Sequence, residues 1–285
     1  MALRMTGKVV LVMGAGSSGP GIGNGRASAM LYAREGATAV VCVDIDLASA
    51  QETVRMIEAD TGAKEQRQGA SETAPVNESN PARAIALQGD VTDATRVAAI
   101  VAEVMRRYGQ IDVLHNNVGI TAMGGPVDES IESWHHVMDT NVTAMFLAVK
   151  YVLPHMLKSG KGAIVNIASL AGIRVTPYPY TSYYASKAAV VHMTTSIGLQ
   201  YAREGIRANA IAPGLMNTPM VHKQIAGQYA SPEAMVQARD AMSPTGKMGD
   251  AWDVAHAAVF LVSDDAKFIN GVVLPVDGGQ HALMR

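Results

Sequence analysis

Short apolar runs, largely β-branched, recur along the chain at residues 9–13, 39–43, 84–87, 113–115, 163–167, 207–211 and 272–276. Between them lie longer stretches in which apolar positions return every three or four residues. These read as helices over 26–34, 48–59, 94–108, 130–157, 183–202 and 250–261. Strands that are continuously apolar, rather than alternating, predict a parallel sheet buried on both faces. Strands and helices in alternation predict a single doubly wound parallel sheet, an α/β Rossmann-like domain covering residues 1–285 with helices on both faces. No internal repeat is visible. Residues 62–81 break the rhythm: they are polar, lack an apolar period and carry Pro75 and Pro81. They are expected as a long, mobile surface loop before the third strand. Residues 215–248, rich in Met, read equally as a flexible substrate lid or as ordinary core packing.

Composition narrows the class. The chain is 48% hydrophobic and 17% charged with 27 glycines, which gives ample core and many close backbone approaches. A net charge of −2 offers nothing for nucleic acid or an anionic membrane surface. No apolar run approaches the roughly 20 residues of a membrane span, and no secretory signal is visible, so a cytoplasmic location is expected. The single Cys42 cannot form an internal disulfide and reads as a small core residue.

The first strand is followed by Met13-Gly14-Ala15-Gly16-Ser17-Ser18-Gly19-Pro20-Gly21-Ile22-Gly23-Asn24-Gly25 and then a helix. Glycines let the backbone approach a pyrophosphate, and the helix N-terminus favours its charge. A GxGxxG match is weak alone and gains force at the first strand–helix junction. Asp44 ends the second strand, where a carboxylate accepts hydrogen bonds from both ribose hydroxyls and repels a 2′-phosphate. The next basic residue is Arg55, so NAD is favoured over NADP. Asp46 reads as the cap of the following helix.

Tyr183 and Lys187 stand four residues apart, one turn on the same helical face, with Ser169 fourteen residues upstream. An unperturbed phenol titrates near ~10 and is a poor proton carrier at neutral pH. A neighbouring ammonium favours the phenolate, and a serine hydroxyl can hold the substrate oxygen. Together they form a candidate proton-transfer site for an alcohol or carbonyl.

From about residue 8 to residue 279 the chain resembles the short-chain dehydrogenase/reductase family. The resemblance is carried by the glycine turn, Asp90-Val91, Asn116-Asn117-Val118-Gly119, Asn141, Ser169, Tyr183 with Lys187, Pro213-Gly214 with Thr218, and Val276-Asp277-Gly278-Gly279. It implies that Tyr183 is the general acid or base and that Ser169 binds the substrate oxygen. It implies that Lys187 lowers the Tyr183 pKa and holds the nicotinamide ribose, and that Asn141 anchors a water in a proton relay. Cofactor contacts are implied at Gly14, Ser17, Gly23, Asn24 and Gly25 in the turn, and at Asp44 and Ile45 beside the ribose. Asp90 and Val91 are implied at the adenine, with Asn117 and Gly119 alongside. Ile167, Tyr183, Lys187, Pro213, Gly214, Met216 and Thr218 are implied around the nicotinamide. Homotetramers built through the long helices and the C-terminal region are implied as well.

Three departures stand out. Met13 replaces a Thr whose hydroxyl commonly ties the turn to the Asn-Asn segment. The turn is long, and counting back from Arg26 assigns Gly23 and Gly25 to its last two glycine positions, whereas counting forward would assign Gly21 and Gly23. Ser169 and Tyr183 are one residue further apart than usual, the extra residue lying in 174–182. Tyr184 is a rival to Tyr183 at the wrong spacing.

No histidine pair has metal-binding spacing, so no metal is expected; His135 and His136 read as surface or interface residues. No G-x-S-x-G elbow appears. Met216, Met220, Met235 and Met242, with Ala171, Pro177, Tyr178 and Tyr180, suggest a fairly apolar pocket. The reading is an NAD-dependent oxidoreductase interconverting a secondary alcohol and its ketone, a small-molecule substrate of fairly apolar character. The alternatives are an NADP-dependent 3-oxoacyl or other carbonyl reductase and a nucleotide sensor without turnover. An enoyl reductase would typically space its Tyr and Lys by seven residues. Few charges near 174–182 and 215–224 speak against a highly anionic substrate, although Arg174, His222 and Lys223 leave one open.

Overall fold

The structure is a computed structural model that describes residues 3–67, 83–176 and 178–283. Among the described residues seven strands form one all-parallel sheet: β1 (Val9–Met13), β2 (Ala39–Asp44), β3 (Ala84–Gln88), β4 (Val113–Asn116), β5 (Gly162–Ile167), β6 (Ile206–Pro213) and β7 (Val273–Val276). Their order is β3-β2-β1-β4-β5-β6-β7. The chain works outwards from β1 to β3, returns to β4 and works outwards again to β7. The reversal between β1 and β4 opens a crevice beyond the strand C-termini, where open α/β sheets take their ligands.

The helices are α1 (Asn24–Arg34), α2 (Leu47–Arg67), α3 (Ala94–Tyr108), α4 (Ile131–Met138), α5 (Ala144–Ser159), α6 (Thr181–Gln200), α7 (Pro219–Ile225), α8 (Pro232–Met242) and α9 (Ala251–Val262). The period-two side-chain alternation of each strand feeds two cores. Val10, Val12, Val40, Cys42 and Val165 pack with residues of α1 and α9 on one face. Val9, Leu11, Met13, Val41, Leu114 and Ile164 pack with α3 and α5 on the other. A sheet covered on both sides has no polar face, hence the unbroken apolar runs. Cys42 is fully buried and burial pushes its thiol up to about 12, as befits a packing residue.

Three elements depart from the sequence expectation. Helix α2 continues to Arg67, so the first residues of the expected loop 62–81 are helical; residues 68–81 lie outside the described residues. The helix expected over 130–157 is α4 and α5 joined by a π-turn at Asp139–Thr143. Segment 215–248, expected as a lid, contains α7 and α8, which short length and sparse periodicity hid. It has a small apolar cluster of its own, Val221, Ile225 and Met235.

No helix among the described residues is long and apolar enough to cross a membrane. Polar side chains tie the centre of the sheet to α6. Asn116 Nδ2 donates to Asn166 Oδ1 at 2.8 Å, and Asn166 Nδ2 donates to Thr194 Oγ1 at 2.8 Å. All three are buried, so each satisfied bond avoids the cost of an orphaned polar group.

Candidate active site

The crevice opens into a cavity of about 1330 Å³ that runs from the glycine turn, past the ends of β4 and β5, to α7 and α8. At the turn, Gly14 has φ +81° and donates its N–H to the Val43 carbonyl at 2.8 Å. Gly25, in the first turn of α1, packs so closely that a Cβ would lie 1.9 Å from the Gly14 carbonyl oxygen. Gly23 is the N-cap of α1, with extended backbone and no side-chain cap, which leaves the first N–H groups of the helix for a ligand. The geometry thus puts Gly23 and Gly25 at the helix start, in agreement with the count back from Arg26. Gly19 and Gly21 belong to the extra residues and approach Pro219 of α7, at 3.7 and 3.4 Å from a would-be Cβ.

The absent Thr hydroxyl has a substitute: Asn117 Nδ2 itself donates to the Gly14 carbonyl at 3.0 Å. The long turn is held by Arg26, which in the sequence serves only as a register mark. Its guanidinium is buried and donates to Thr53 Oγ1 (3.0 Å), the Gly21 carbonyl (2.7 Å) and the Ser49 carbonyl (3.2 Å). Ser49 Oγ in turn accepts from the Ser17 N–H at 2.8 Å. Burial lowers the Arg26 pKa, and Glu52 and Asp44 oppose the shift.

Asp44 closes β2 with Oδ2 accepting from Gly16 N at 2.9 Å and Oδ1 accepting from Asp46 N at 3.1 Å. Asp46 caps α2 through Ala48 N at 3.0 Å. Ile45 is exposed at the cavity edge. Asp90 holds its own turn, accepting Thr92 N at 2.8 Å, while Val91 is buried beside it. The cationic residues lining the cavity are Arg174, Lys187, Lys223 and Arg239, and none of them belongs to the turn or to the segments that follow β2 and β3.

Residues from four segments meet at the far end of β5. Tyr183 and Lys187 project from one face of α6 and Ser169 follows β5; all three line the cavity. The Ser169 hydroxyl accepts from Ala171 N at 3.1 Å and acts on the Tyr183 phenol, whose pKa it lowers. Lys187 is 2% exposed, donates Nζ to the Ile167 carbonyl at 2.9 Å, and lies 5.8 Å from the Tyr183 ring centroid. A Cβ on Gly119 would come within 2.9 Å of that Nζ. Asn141, in the π-turn, is fully buried. It accepts Ile120 N at 2.8 Å and donates Nδ2 to the Ile120 carbonyl at 2.9 Å and to Ser186 Oγ at 3.0 Å. Its side chain is therefore occupied in clamping the chain after β4 to α6.

The electrostatics differ from the expectation that Lys187 depresses Tyr183. Burial raises the phenol pKa, and the Ser169 hydrogen bond only partly offsets this. Burial also pulls Lys187 down to about 8. Both groups are desolvated, so each resists its charged form.

Pro213 and Gly214 end β6 at the cavity wall, where Gly214 N donates to the Val276 carbonyl at 3.0 Å. Gly214 lies so close to Asp277 that a Cβ would meet the Asp277 Cβ at 2.6 Å. Gln280, absent from the sequence expectation, braces this loop by accepting Leu215 N at 2.9 Å. Met216 is buried and forms an isolated bridge with Gly249, and Thr218 precedes α7.

Met220 and Met242 line the cavity with Met216, whereas Met235 packs with Val221 and Ile225. Ala171, Tyr178 and Tyr180 also line it; Pro177 lies outside the described residues. Tyr184 is no rival to Tyr183, because its hydroxyl bonds Thr176 N at 3.0 Å and the Tyr178 carbonyl at 3.0 Å and so ties down the loop before α6. His136, expected at the surface, is exposed and also borders the cavity. Arg239 is a further lining residue without a counterpart in the sequence expectation; it sits four residues after Met235 on the buried face of α8.

Observed features at the turn fit a dinucleotide. The glycine positions form a cradle that a Cβ would fill. Asn24 also keeps a buried amide oxygen with no partner at the start of α1.

Comparison with known proteins agrees. A family model described as Enoyl-(Acyl carrier protein) reductase matches residues 62–281. A 2,5-dichloro-2,5-cyclohexadiene-1,4-diol dehydrogenase of Sphingobium indicum is 37% identical over 279 residues, 98% of either chain. A 3-oxoacyl-[acyl-carrier-protein] reductase of Thermotoga maritima is 35% identical over 277 residues, 97% of this chain and 99% of its own. A crystal structure from Burkholderia xenovorans, described as a short-chain dehydrogenase/reductase, superposes with a TM-score of 0.88 at 42% identity, covering 100% of both chains.

The fit of α1 against the turn yields a test. Gly25→Ala forces a methyl onto the Gly14 carbonyl, an overpacking of at least about 1–3 kcal/mol. The variant is expected to melt earlier than the parent and to bind a nicotinamide dinucleotide about 10-fold more weakly by titration calorimetry. Unchanged melting and affinity would show that the turn is not closed as described.

Proposed function

The chain belongs to the short-chain dehydrogenase/reductase family, and from that premise we propose that it is an NAD-dependent oxidoreductase interconverting a compact secondary alcohol and its ketone. Its relatives are dehydrogenases and reductases of alcohols and ketones, the Sphingobium indicum protein being named for a cyclic diol. The observation that carries the reading is the convergence of Ser169, Tyr183 and Lys187 on one cavity with the glycine turn and Asp44.

The bound nicotinamide supplies a hydride acceptor or donor. The protein's own groups handle position and protons. The Ser169 Oγ holds the substrate oxygen beside the phenol. Tyr183 Oη takes the hydroxyl proton in oxidation and returns it in reduction. Lys187 Nζ, fixed by the Ile167 carbonyl, stands where it can hold a ribose hydroxyl and pass a proton inward. The clamp made by Asn141 keeps the Ile120 backbone and α6 in register around Lys187. Asp44, with no cation beside it on the cavity wall, favours free ribose hydroxyls over a 2′-phosphate, which supports NAD. The methionine and tyrosine lining supports an apolar substrate body.

Absorbance at 340 nm, followed with NAD and NADP against a panel of secondary alcohols, tests this directly. Turnover with NAD is expected, and Tyr183→Phe should lose about 10²–10⁴ in rate. Near-full turnover in that variant would refute the role of the phenol, and turnover with NADP alone would refute that of Asp44.

The pH dependence has a definite sign. Oxidation needs the phenolate, and burial holds the Tyr183 phenol above its ordinary value. The oxidation rate is therefore expected to climb from about pH 7 to about pH 10. Reduction, which needs the phenol, should stay level and fall only at the alkaline end. The Lys187 ammonium loses its proton through about 8, within the same climb. An oxidation profile flat across that range would contradict the assignment.

A homotetramer is part of the proposal. Phe146 on α5 is 51% exposed, Leu199 on α6 is 67% exposed and Phe268 is fully exposed, so apolar groups stand uncovered on the long helices and near β7. Sedimentation is expected at about four chain masses, and a monomer at micromolar concentration would remove this element.

A further inference from the structure

Arg239 holds a position that its helix would ordinarily give to an apolar residue. Met235 and Arg239 lie one turn apart and form the buried face of α8, at 0% and 4% exposure. Met235 packs with Val221 and Ile225, but Arg239 lines the cavity. Among the described residues its one hydrogen bond runs from Nε to the Met248 thioether at 3.4 Å, a weak acceptor. No carboxylate there forms an ion pair with it. The Nη1 and Nη2 groups are left without a protein partner at the cavity wall. A buried guanidinium normally has a counter-anion.

The surroundings say where that anion belongs. Arg239 lies near enough to Tyr180 and Tyr229 for its charge to favour the ionised form of both phenols. The Tyr229 hydroxyl lies 2.9 Å from that of Tyr178. Tyr178 stacks on Tyr180 at 5.4 Å between ring centroids, and Tyr180 meets Tyr183 edge-on at 5.9 Å. An aromatic wall thus leads from the phenol of Tyr183 towards Arg239. The other cations do not compete. Arg174 and Lys223 are exposed to solvent, and Lys187 is engaged with Ile167. Of the acidic lining residues, Asp44, Asp46 and Asp90 belong to the segments after β2 and β3, and Asp139 accepts from Thr143 Oγ1 at 3.2 Å.

We propose that Arg239 recognises a carboxylate on the substrate, at the end remote from the reacting carbon. The substrate is then a compact apolar alcohol or ketone with a single carboxylate. The planar guanidinium fork matches that group in bidentate fashion. The choice of reacting end rests on the dehydrogenase reading, but anion recognition is measurable without turnover.

The test is calorimetric titration of the full chain, with and without NAD, using cyclohexanecarboxylate, benzoate and hexanoate, each against its neutral amide. The wild type is expected to bind carboxylates about 10- to 100-fold more tightly than the matching amides. That ratio should collapse towards one in Arg239→Gln and be partly kept in Arg239→Lys, whose point charge lacks the fork. Equal affinity for acid and amide in the wild type, or no binding of any carboxylate, overturns the proposal. So does an Arg239→Gln protein that keeps the ratio, or one whose only loss is in NAD affinity. Should Arg239→Gln not fold, the wild-type ratio and Arg239→Lys still decide. Failure to oxidise any alcohol would count against the dehydrogenase reading alone, and the acid-to-amide ratio would still decide the role of Arg239.

Discussion

A lysine ammonium shut away from water, at 2% exposure, is the constraint around which the site is arranged. Such a group resists its charge unless acceptors are set around it. The Ile167 carbonyl at the end of β5 supplies one at 2.9 Å. That fixes α6 against the sheet and carries Tyr183, one turn earlier, to the cavity wall. It also requires a bare backbone at Gly119, where a side chain would meet Nζ. The π-turn between α4 and α5 then places Asn141 to seize both backbone groups of Ile120 and the Ser186 hydroxyl. Four segments distant in sequence are tied together to accommodate one buried nitrogen.

Close approach also governs the other end of the cavity. The glycine turn and α1 come together until Gly25 has no room for a methyl, and Asn117 and Arg26 bind the resulting loop from either side. Arg26 directs its donors to carbonyls and hydroxyls of α2 and the turn. In this respect it differs from Arg239, a second buried guanidinium whose terminal nitrogens have no such partners among the described residues. The contrast between two buried guanidinium groups, one fully partnered and one not, separates a structural cation from one poised for a ligand.

Much of this was legible in the chain. Strands buried on both faces announce themselves as unbroken β-branched runs, and the observed strands begin and end within two residues of those runs. Tyr183 and Lys187 read as a pair because a four-residue step on a helix is geometry that sequence alone imposes. Asp44 was legible as the last residue of its strand. Other features left no mark. The π-turn has no compositional signature, so α4 and α5 read as one helix. The last turns of α2 read as loop because Gly62 interrupts them and they lack an apolar period. Arg239 gives no signal because four-residue spacing from Met235 means little until α8 is known to be a helix with its face turned inward.

The sequence by itself determined the layered parallel sheet, the phosphate-type turn at its first junction and the set of residues able to carry a proton, since each follows from local periodicity, glycine placement or residue chemistry. Only the tertiary structure decided which hydroxyl of the Tyr183-Tyr184 pair faces the cavity, that burial raises Tyr183 and lowers Lys187, and that Arg239 has no ion-pair partner among the described residues. These depend on desolvation and on partners brought from remote segments, and neither burial nor a remote partner is encoded at any single position of a chain.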